Sequence, residues 1–479
     1  MTFEQILAYI IPIFVWIPTI AITIRLIIRK QSVPAMLSWL MVIYVFPVVG
    51  IIAYLIFGEI NLGKRRAIAF EQLKPKYMDW FTRLSYCDNL VNTRTNLLYR
   101  PIFDLAKQRL GIPCILGNEL HILDTPESIM RSIIHDINQA EKSINMVFYI
   151  WSAKGLVKDV IQALIKAQQR GVAIHILLDS VGSRPFLKST ECQAMRDNGI
   201  EVTETLHVNL FRMFFNRIDL RQHRKIIVID NQISYTGSMN MVDPKFFKKN
   251  SNVGEWIDIM VSAVLNGLHA WDWEIETAAK LPLEVPDCPL LPLEQNNSHA
   301  VQILATGPCF PDDLMSQSLA IAIFSARKSI VITSPYFVPS HNIAEALRIA
   351  ALRGVEVSII LPKENDSLMV HWASRTFFDD LLAAGVKIYN FNKGLLHTKS
   401  MLIDNRLALV GTVNMDMRSF LLNFEVTMVV EDPAFANEIS LLHESYIKNS
   451  ELVDYVTWST RSVYQRIVEK LFFLFSPLL

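Results

Sequence analysis

Two short patterns bring together residue types that can work on phosphorus. In the first, His223 and Lys225 are followed four residues later by Asp230, and after six more by Gly237-Ser238-Met239-Asn240. The same spacing recurs as His397, Lys399, Asp404 and Gly411-Thr412-Val413-Asn414. The runs after each lysine, Ile226–Ile229 and Ser400–Ile403, are short and β-prone. His and Lys at i and i+2 therefore point to one face of a strand. Each Asp closes its strand, and the Gly-Ser/Thr-x-Asn turn offers hydroxyl and amide donors. Two such half-sites facing each other surround one pocket with two imidazoles, two ammoniums and two amides. A phosphate diester suits that pocket, because lysines donate charge-assisted hydrogen bonds to its non-bridging oxygens and an imidazole can attack phosphorus.

The elements that must position these groups also occur twice. Lys142-Ser143-Ile144 leads into the apolar stretch Asn145–Tyr149, and Lys328-Ser329-Ile330 leads into Val331–Val338. Helix-like segments then end in Arg170-Gly171-Val172 and Arg353-Gly354-Val355, each followed by a β-branched run, Ala173–Leu178 and Glu356–Leu361. Asn198-Gly199-Ile200-Glu201-Val202 matches Ala384-Gly385-Val386-Lys387-Ile388. Alternating strand and helix patterns predict two α/β halves, each with a mixed, mostly parallel sheet flanked by helices. Pro282, Pro286, Pro289 and Pro292 mark a linker between them.

Lys plus Arg and Asp plus Glu both number 46, and this balance argues against a dedicated nucleic-acid binder. Hydrophobic residues make up 51% of the 479 and charged residues only 19%, so apolar residues serve either a large core or a membrane. Two runs favour the membrane: Ile6–Ile24 and Val33–Phe57 each meet the ~20 residues a spanning helix needs. The start lacks the basic region and cleavage pattern of a signal peptide, so a two-helix transmembrane hairpin is expected. Arg25, Arg29 and Lys30 lie between the runs, and Lys64, Arg65, Arg66, Lys74 and Lys76 follow the second. That asymmetry favours both hairpin ends, and the catalytic halves, on the cytoplasmic side. Five scattered cysteines give no disulfide framework or zinc spacing. The expected organisation is the hairpin (1–60), a connecting segment (61–115), the first repeat (116–280), the Pro-rich linker (281–298) and the second repeat with an apolar tail (299–479).

The doubled HxKx4Dx6G(S/T)xN pattern resembles the phospholipase D superfamily. With the apolar N-terminus and Ser334–Pro339 (SPYFVP), the chain is similar to bacterial cardiolipin synthases over essentially its full length. The resemblance implies two phospholipase D-like repeat domains in a multi-pass protein of the bacterial inner membrane. It implies conversion of two phosphatidylglycerol molecules to cardiolipin and glycerol through a phosphatidyl-histidine, with no metal and no cofactor. By the same resemblance His223 is the nucleophile, His397 the general acid and base, and Lys225, Lys399, Asn240 and Asn414 hold phosphate, with Ser238 and Thr412 beside them. Asp230 and Asp404 belong to the catalytic motif, although their place at a strand end favours closing a turn. Glu255 and Glu425, downstream of each motif, are expected to orient the imidazoles. The alternative is a phospholipase D-type hydrolase or a phosphatidylserine synthase on the same scaffold. A nuclease fits the charge balance less well, and a dead scaffold does not fit two complete motifs.

Other features stay open between two uses. Phe211–Arg217 and Pro244–Asn250 are either lipid-facing or ordinary packed loops, and Arg418 serves either a headgroup or a structural ion pair. The C-terminal Val463–Leu479 is either an interfacial amphipathic segment or a docked terminal helix. The remaining nine histidines show no ligand spacing.

Overall fold

The computed structural model describes residues 3–29, 33–59, 62–84, 97–207, 217, 219–248, 253–262, 266–281 and 299–474, with side chains of the first helix from Phe14 on. The Pro-rich linker from 282 on, the aromatic and arginine stretch 211–216, Cys87, Cys288 and the last five residues lie outside them. The chain divides into two units, Met1–Ala67 with Val208–Leu220, and Ile68–His207 with Arg221–Leu479.

In the smaller unit the first apolar run forms the helix Phe3–Ile28. The second departs from the single expected span. It is two helices, Val33–Val45 and Pro47–Phe57, broken at Phe46, whose ψ of 70° is not helical. Pro47 is the cause, since a proline disfavours helical geometry in the residue before it. At 13 and 11 residues, each helix reaches only about 20 Å. The pair folds back so closely that a Cβ on Gly50 would lie 2.7 Å from Ile43 Cα. Ile22, Leu26, Ile43 and Tyr54 form the core of this unit. Glu59 accepts hydrogen bonds from Arg25 and from the Tyr54 hydroxyl (2.8 Å), so the end of the second run returns to the end of the first helix. Among the described residues, no helix is long and apolar enough to cross a membrane.

The larger unit holds two sheets of like order. The first runs Ile122–Leu123, Met260–Ser262, Ile233–Gly237, Ile226–Ile229, Ser143–Phe148, Ala173–Asp179, Glu201–Thr205. The second contains the equivalent series Asn423–Glu431, Leu407–Gly411, Ser400–Ile403, Ser329–Thr333, Glu356–Pro362, Lys387–Phe391. The expected parallel pairing covers only the last three strands of each series. The strands that carry the chemistry are antiparallel, because tight turns join them. In those turns Asp230 and Asn231 have φ of 51° and 60°, and Asp404 and Asn405 have 53° and 50°. Asp and Asn tolerate this left-handed region better than other side chains do. Ile115–Asn118, at the expected start of the first repeat, pairs with His299–Thr306 and so joins the second sheet.

Helices cover these sheets through regularly spaced apolar residues. Ile129, Ile133 and Ile137, one turn apart on Pro126–Gln139, pack into the first core with Val160, Leu164, Ile174 and Ile176. Thr125 and Ser128 cap that helix reciprocally. The repeat extends to detail: Arg170 reaches the carbonyls of Ile137 and Ala140, as Arg353 reaches those of Ile323 and Ala326.

Candidate active site

Each His-x-Lys segment lies at the entry to its strand, Ile226–Ile229 or Ser400–Ile403, with its backbone tied to the opposite half. His223 donates its N–H to Phe424 O at 3.0 Å, and His397 donates to Ile257 O at 2.9 Å. Alternation turns the middle residue away. Arg224 is fully buried, bidentate to Asp272 at 2.6 Å and stacked against Phe310 and Phe424. Thr398 takes the equivalent place beside Ile257 O and the Tyr446 hydroxyl. The lysines turn back on their own motifs, Lys225 Nζ donating to His223 O at 2.7 Å and Lys399 Nζ to His397 O at 2.6 Å.

The carboxylates on the imidazoles are exchanged between halves. Glu425 lies 2.9 Å from His223 Nδ1, and Asp258 lies 2.6 Å from His397 Nδ1. Glu255 does not take part: it is exposed, and only its backbone carbonyl joins the site region, accepting from Leu395 N–H. The register explains the choice. Gly237 pairs with Met260 and Gly411 with Thr427, and Asp258 and Glu425 each stand two residues before that partner. Counting from the histidines hides this equivalence, whereas aligning acids that precede an apolar strand, Asp258-Ile259-Met260 and Glu425-Val426-Thr427, would reveal it.

The hydroxyls expected to bind substrate serve the carboxylate strands instead. Ser238 Oγ accepts the Ile259 N–H at 3.1 Å. Thr412 Oγ1 accepts the Val426 N–H at 2.9 Å and donates to Glu425 at 2.5 Å. Asp230 and Asp404 are likewise remote from the imidazoles. Asp230 accepts the N–H groups of Glu141, Lys142 and Ser143, while Asp404 accepts those of Arg327, Lys328 and Ser329 and the Tyr99 hydroxyl. They pin each turn to the start of the neighbouring strand. Asn240 Oδ1 accepts the Ile150 N–H at 3.1 Å, which fixes its amide, and Asn414 is buried beside the second motif.

Sequence reasoning missed the aromatic walls. Tyr149 lies 5.0 Å from the His223 ring and Trp256 lies 4.2 Å from that of His397. Lys248, from the Pro244–Asn250 stretch, crosses the Trp256 ring to pair with Asp366 at 2.9 Å, and Asp366 also accepts from the Tyr336 hydroxyl. Of the same stretch, Phe247 packs edge-on against Trp256 and Phe246 is exposed. Arg418 bears electrostatically on Tyr149 and Asp416.

Burial governs the charge states. His223 and His397 are 8% and 3% exposed. Desolvation, opposed by the carboxylate and reinforced by the lysines of both halves, lowers each imidazole to about 4. Burial lowers Lys225 to about 7 and Lys399 to about 8, with the nearby carboxylates opposing it. Asp258 is held below the usual range by His397, against its own burial. Lys399 acts on His223 and Lys225 on His397, so the two half-sites form one electrostatic unit. Paired imidazoles, each with a carboxylate on Nδ1 and Nε2 left to react, can exchange a phosphoryl-linked group and shuttle the accompanying proton.

Doubled in this way, the fold and site define a member of the phospholipase D superfamily. Residues 133–259 and 319–445 each match the family described as cardiolipin synthase, PLD-like domain, and residues 14–59 match the phospholipase D-nuclease N-terminal family. The cardiolipin synthases A of Serratia proteamaculans (strain 568) and Edwardsiella ictaluri (strain 93-146) are each 46% identical to this chain over the whole of both sequences. A solved phosphatidylserine synthase from Haemophilus influenzae Rd KW20 shares the fold, with a TM-score of 0.55 at 15% identity, over 79% of this chain and 98% of its own. The chain is an enzyme and belongs to the cardiolipin synthase family.

Proposed function

We propose that the enzyme converts two phosphatidylglycerol molecules to cardiolipin and glycerol through a phosphatidyl-histidine. Neutral His223 attacks phosphorus through Nε2, the bond to the glycerol headgroup breaks, and His397 protonates the departing oxygen. His397 then takes the proton from the terminal hydroxyl of a second phosphatidylglycerol. That oxygen attacks phosphorus, the P–N bond breaks, and cardiolipin leaves with His223 restored. Lys225, Lys399 and the amides of Asn240 and Asn414 hold the non-bridging oxygens.

The observation that carries this reading is the crossed pairing of each imidazole with a carboxylate of the other half. It leaves Nε2 of both rings as the reacting atoms. The assignment of His223 as nucleophile and His397 as acid and base follows the superfamily resemblance. A phosphodiester anion between the lysines would offset their effect and raise the imidazoles toward values that hold it.

The enzyme acts at the inner membrane with its catalytic halves on the cytoplasmic side. The fold-back of the second apolar run supports that side: Glu59 returns to Arg25 and Arg29, and Lys64, Arg65 and Arg66 follow it closely in the same unit, so the cations gather at one end of that unit.

The test is incubation of purified protein with labelled phosphatidylglycerol alone, with products separated by thin-layer chromatography and the enzyme acid-quenched for covalent label. Cardiolipin should form, and the label should be trapped in wild type and, slowly with a good leaving group, in His397→Ala but not in His223→Ala. Trapping in His223→Ala alone would reverse the two roles, and trapping in both would remove the covalent route.

A further inference from the structure

The C-terminal helix Val463–Phe473 is docked on one side and apolar on the other. Ser462 and Gln465 cap it reciprocally. Its inner side carries Phe472 and Phe473, packed on the cluster of Val338, Val370 and Ala373, with Phe473 also edge-on to Phe377. Its one acid, Glu469, also points inward, buried and bound by Arg375 at 3.0 Å and Arg461 at 2.9 Å. The outer side presents Val463, Tyr464, Ile467 and Leu471, continued by Leu474, each more than half exposed. Their spacing of three to four residues makes one continuous stripe. Arg466 and Lys470 are exposed beside it.

We infer that this stripe lies in the headgroup layer of an anionic lipid bilayer and seats the catalytic unit on its substrate surface. Solvent-facing apolar side chains at this density mark a contact surface rather than ordinary exposure. The charges choose the occupant. With Glu469 turned inward, the outward face of the helix carries only cations, so two copies packed stripe to stripe would bring like charges together. Phospholipid phosphates and anionic headgroups complement Arg466 and Lys470 while the acyl boundary takes the apolar stripe. The position also serves the chemistry. Tyr336, on the same apolar cluster as Phe472 and Phe473, donates to Asp366 at 2.8 Å, and His397 bears electrostatically on that Asp. The helix thus rests on the same apolar cluster as Tyr336, whose partner Asp366 feels the second imidazole, so a bilayer on the helix would lie on the side of the molecule that supports that half-site. The inference rests on the phosphatidyl-transfer reading for its purpose, though not for its test.

The full-length protein, freed of native cysteines and carrying Ile467→Cys labelled with bimane, is reconstituted into phosphatidylcholine vesicles with and without phosphatidylglycerol. Brominated acyl chains should quench the label, more strongly with phosphatidylglycerol present. A second variant, Ile467→Asp with Leu471→Asp, should keep its rate in detergent micelles and lose about tenfold in vesicles. If that pair fails to fold, Ile467→Ser with Leu471→Ser is read by the same ratio. A label that stays unquenched in both vesicles overturns the inference, as does a variant equally active in both settings. Self-association in detergent that the Asp pair abolishes, with the label unquenched, would reassign the stripe to an interface between copies. Quenching needs no turnover, so failure of docking and failure of the proposed reaction are seen separately.

Discussion

At the level of the residue, the site is poised by desolvation. Both imidazoles are half protonated at pH about 4 and neutral well above it, and Lys225 and Lys399 are half deprotonated at about 7 and about 8. In the proposed reaction a bound phosphodiester would use both ammoniums, so binding would take up protons wherever the lysines have released them. KM for phosphatidylglycerol in micelles should therefore rise as pH climbs from 7 to 9, with kcat changing less; a flat KM would contradict it. The sign for folding is separate. Unfolded lysines keep their protons up to about 10.5, so these two sites add stability as pH rises from about 7 toward that value. The histidines, unfolded value 6.5, stabilise above it and lose that contribution as pH falls toward 4. The orienting carboxylate gives a sharper contrast. Asp258→Asn removes the charge that holds the Nδ1 proton and should lower kcat by about 10²–10⁴-fold without unfolding the protein. Glu255→Gln, on an exposed side chain, should leave kcat unchanged; steady-state rates at matched melting temperature decide between them. The doubled His-Lys pattern was legible because strand alternation is local. Asp258 was not, because its partner is chosen by sheet register across two distant segments.

Among the elements, one junction sets the distance on which that contrast depends. Trp256–Ile257 pairs in parallel with Leu395–Leu396, joining the strand before Asp258 to the strand before His397. Two glycines make the approach possible: a Cβ on Gly254 would lie 2.9 Å from Gly394 Cα, and one on Gly394 would lie 2.4 Å from Glu255 O. Gly394 also has φ of 130°, which other residues rarely adopt. Gly394→Ala should wedge the two strands apart, pull His397 from Asp258 and cost at least tenfold in kcat. Gly354→Ala is the control. Its φ is 90° but nothing lies within 4 Å, so it should cost about 1–2 kcal/mol of stability and leave kcat alone. Equal loss of rate in both would mean that backbone strain, not the junction, controls the site. The strands and the turns at Asp230 and Asp404 were legible from β-branched runs and punctuating residues. The antiparallel half of each sheet was not read correctly, since alternation reveals a strand but not the direction of its neighbour. The fold-back at Phe46 escaped for a related reason: hydropathy has no direction, and whether Pro47 bends or breaks a helix depends on what packs against it, here Gly50 on Ile43.

For the whole molecule the proposed reaction raises the question of why a phosphatidyl-histidine would await a lipid alcohol rather than water. Exchange of one primary-alcohol phosphodiester for another changes little in bond energy, so the transfer lies near equilibrium. Water is far more concentrated than any lipid hydroxyl, and only kinetics can exclude it. The site supplies the means: both imidazoles are nearly enclosed, Tyr149 and Trp256 wall them, and the Lys248–Asp366 pair ties the two halves over Trp256. In the proposed reaction the duplicated half-site, legible from the repeat alone, lets one enclosure serve two successive lipids, since each step would use the same two imidazoles with the proton moved the opposite way. Cardiolipin and glycerol should therefore appear together from phosphatidylglycerol, with phosphatidic acid a minor product. Added glycerol competes for the same intermediate, so it should suppress net synthesis and regenerate phosphatidylglycerol from cardiolipin. Asp366→Asn, which removes the charge clasping Lys248, should raise the ratio of phosphatidic acid to cardiolipin by admitting water. Both are read by chromatography of labelled lipid across a glycerol series. Dominant phosphatidic acid in the wild type, with no return of phosphatidylglycerol as glycerol increases, would mean that water wins at the intermediate and that the enclosed site belongs to a hydrolase.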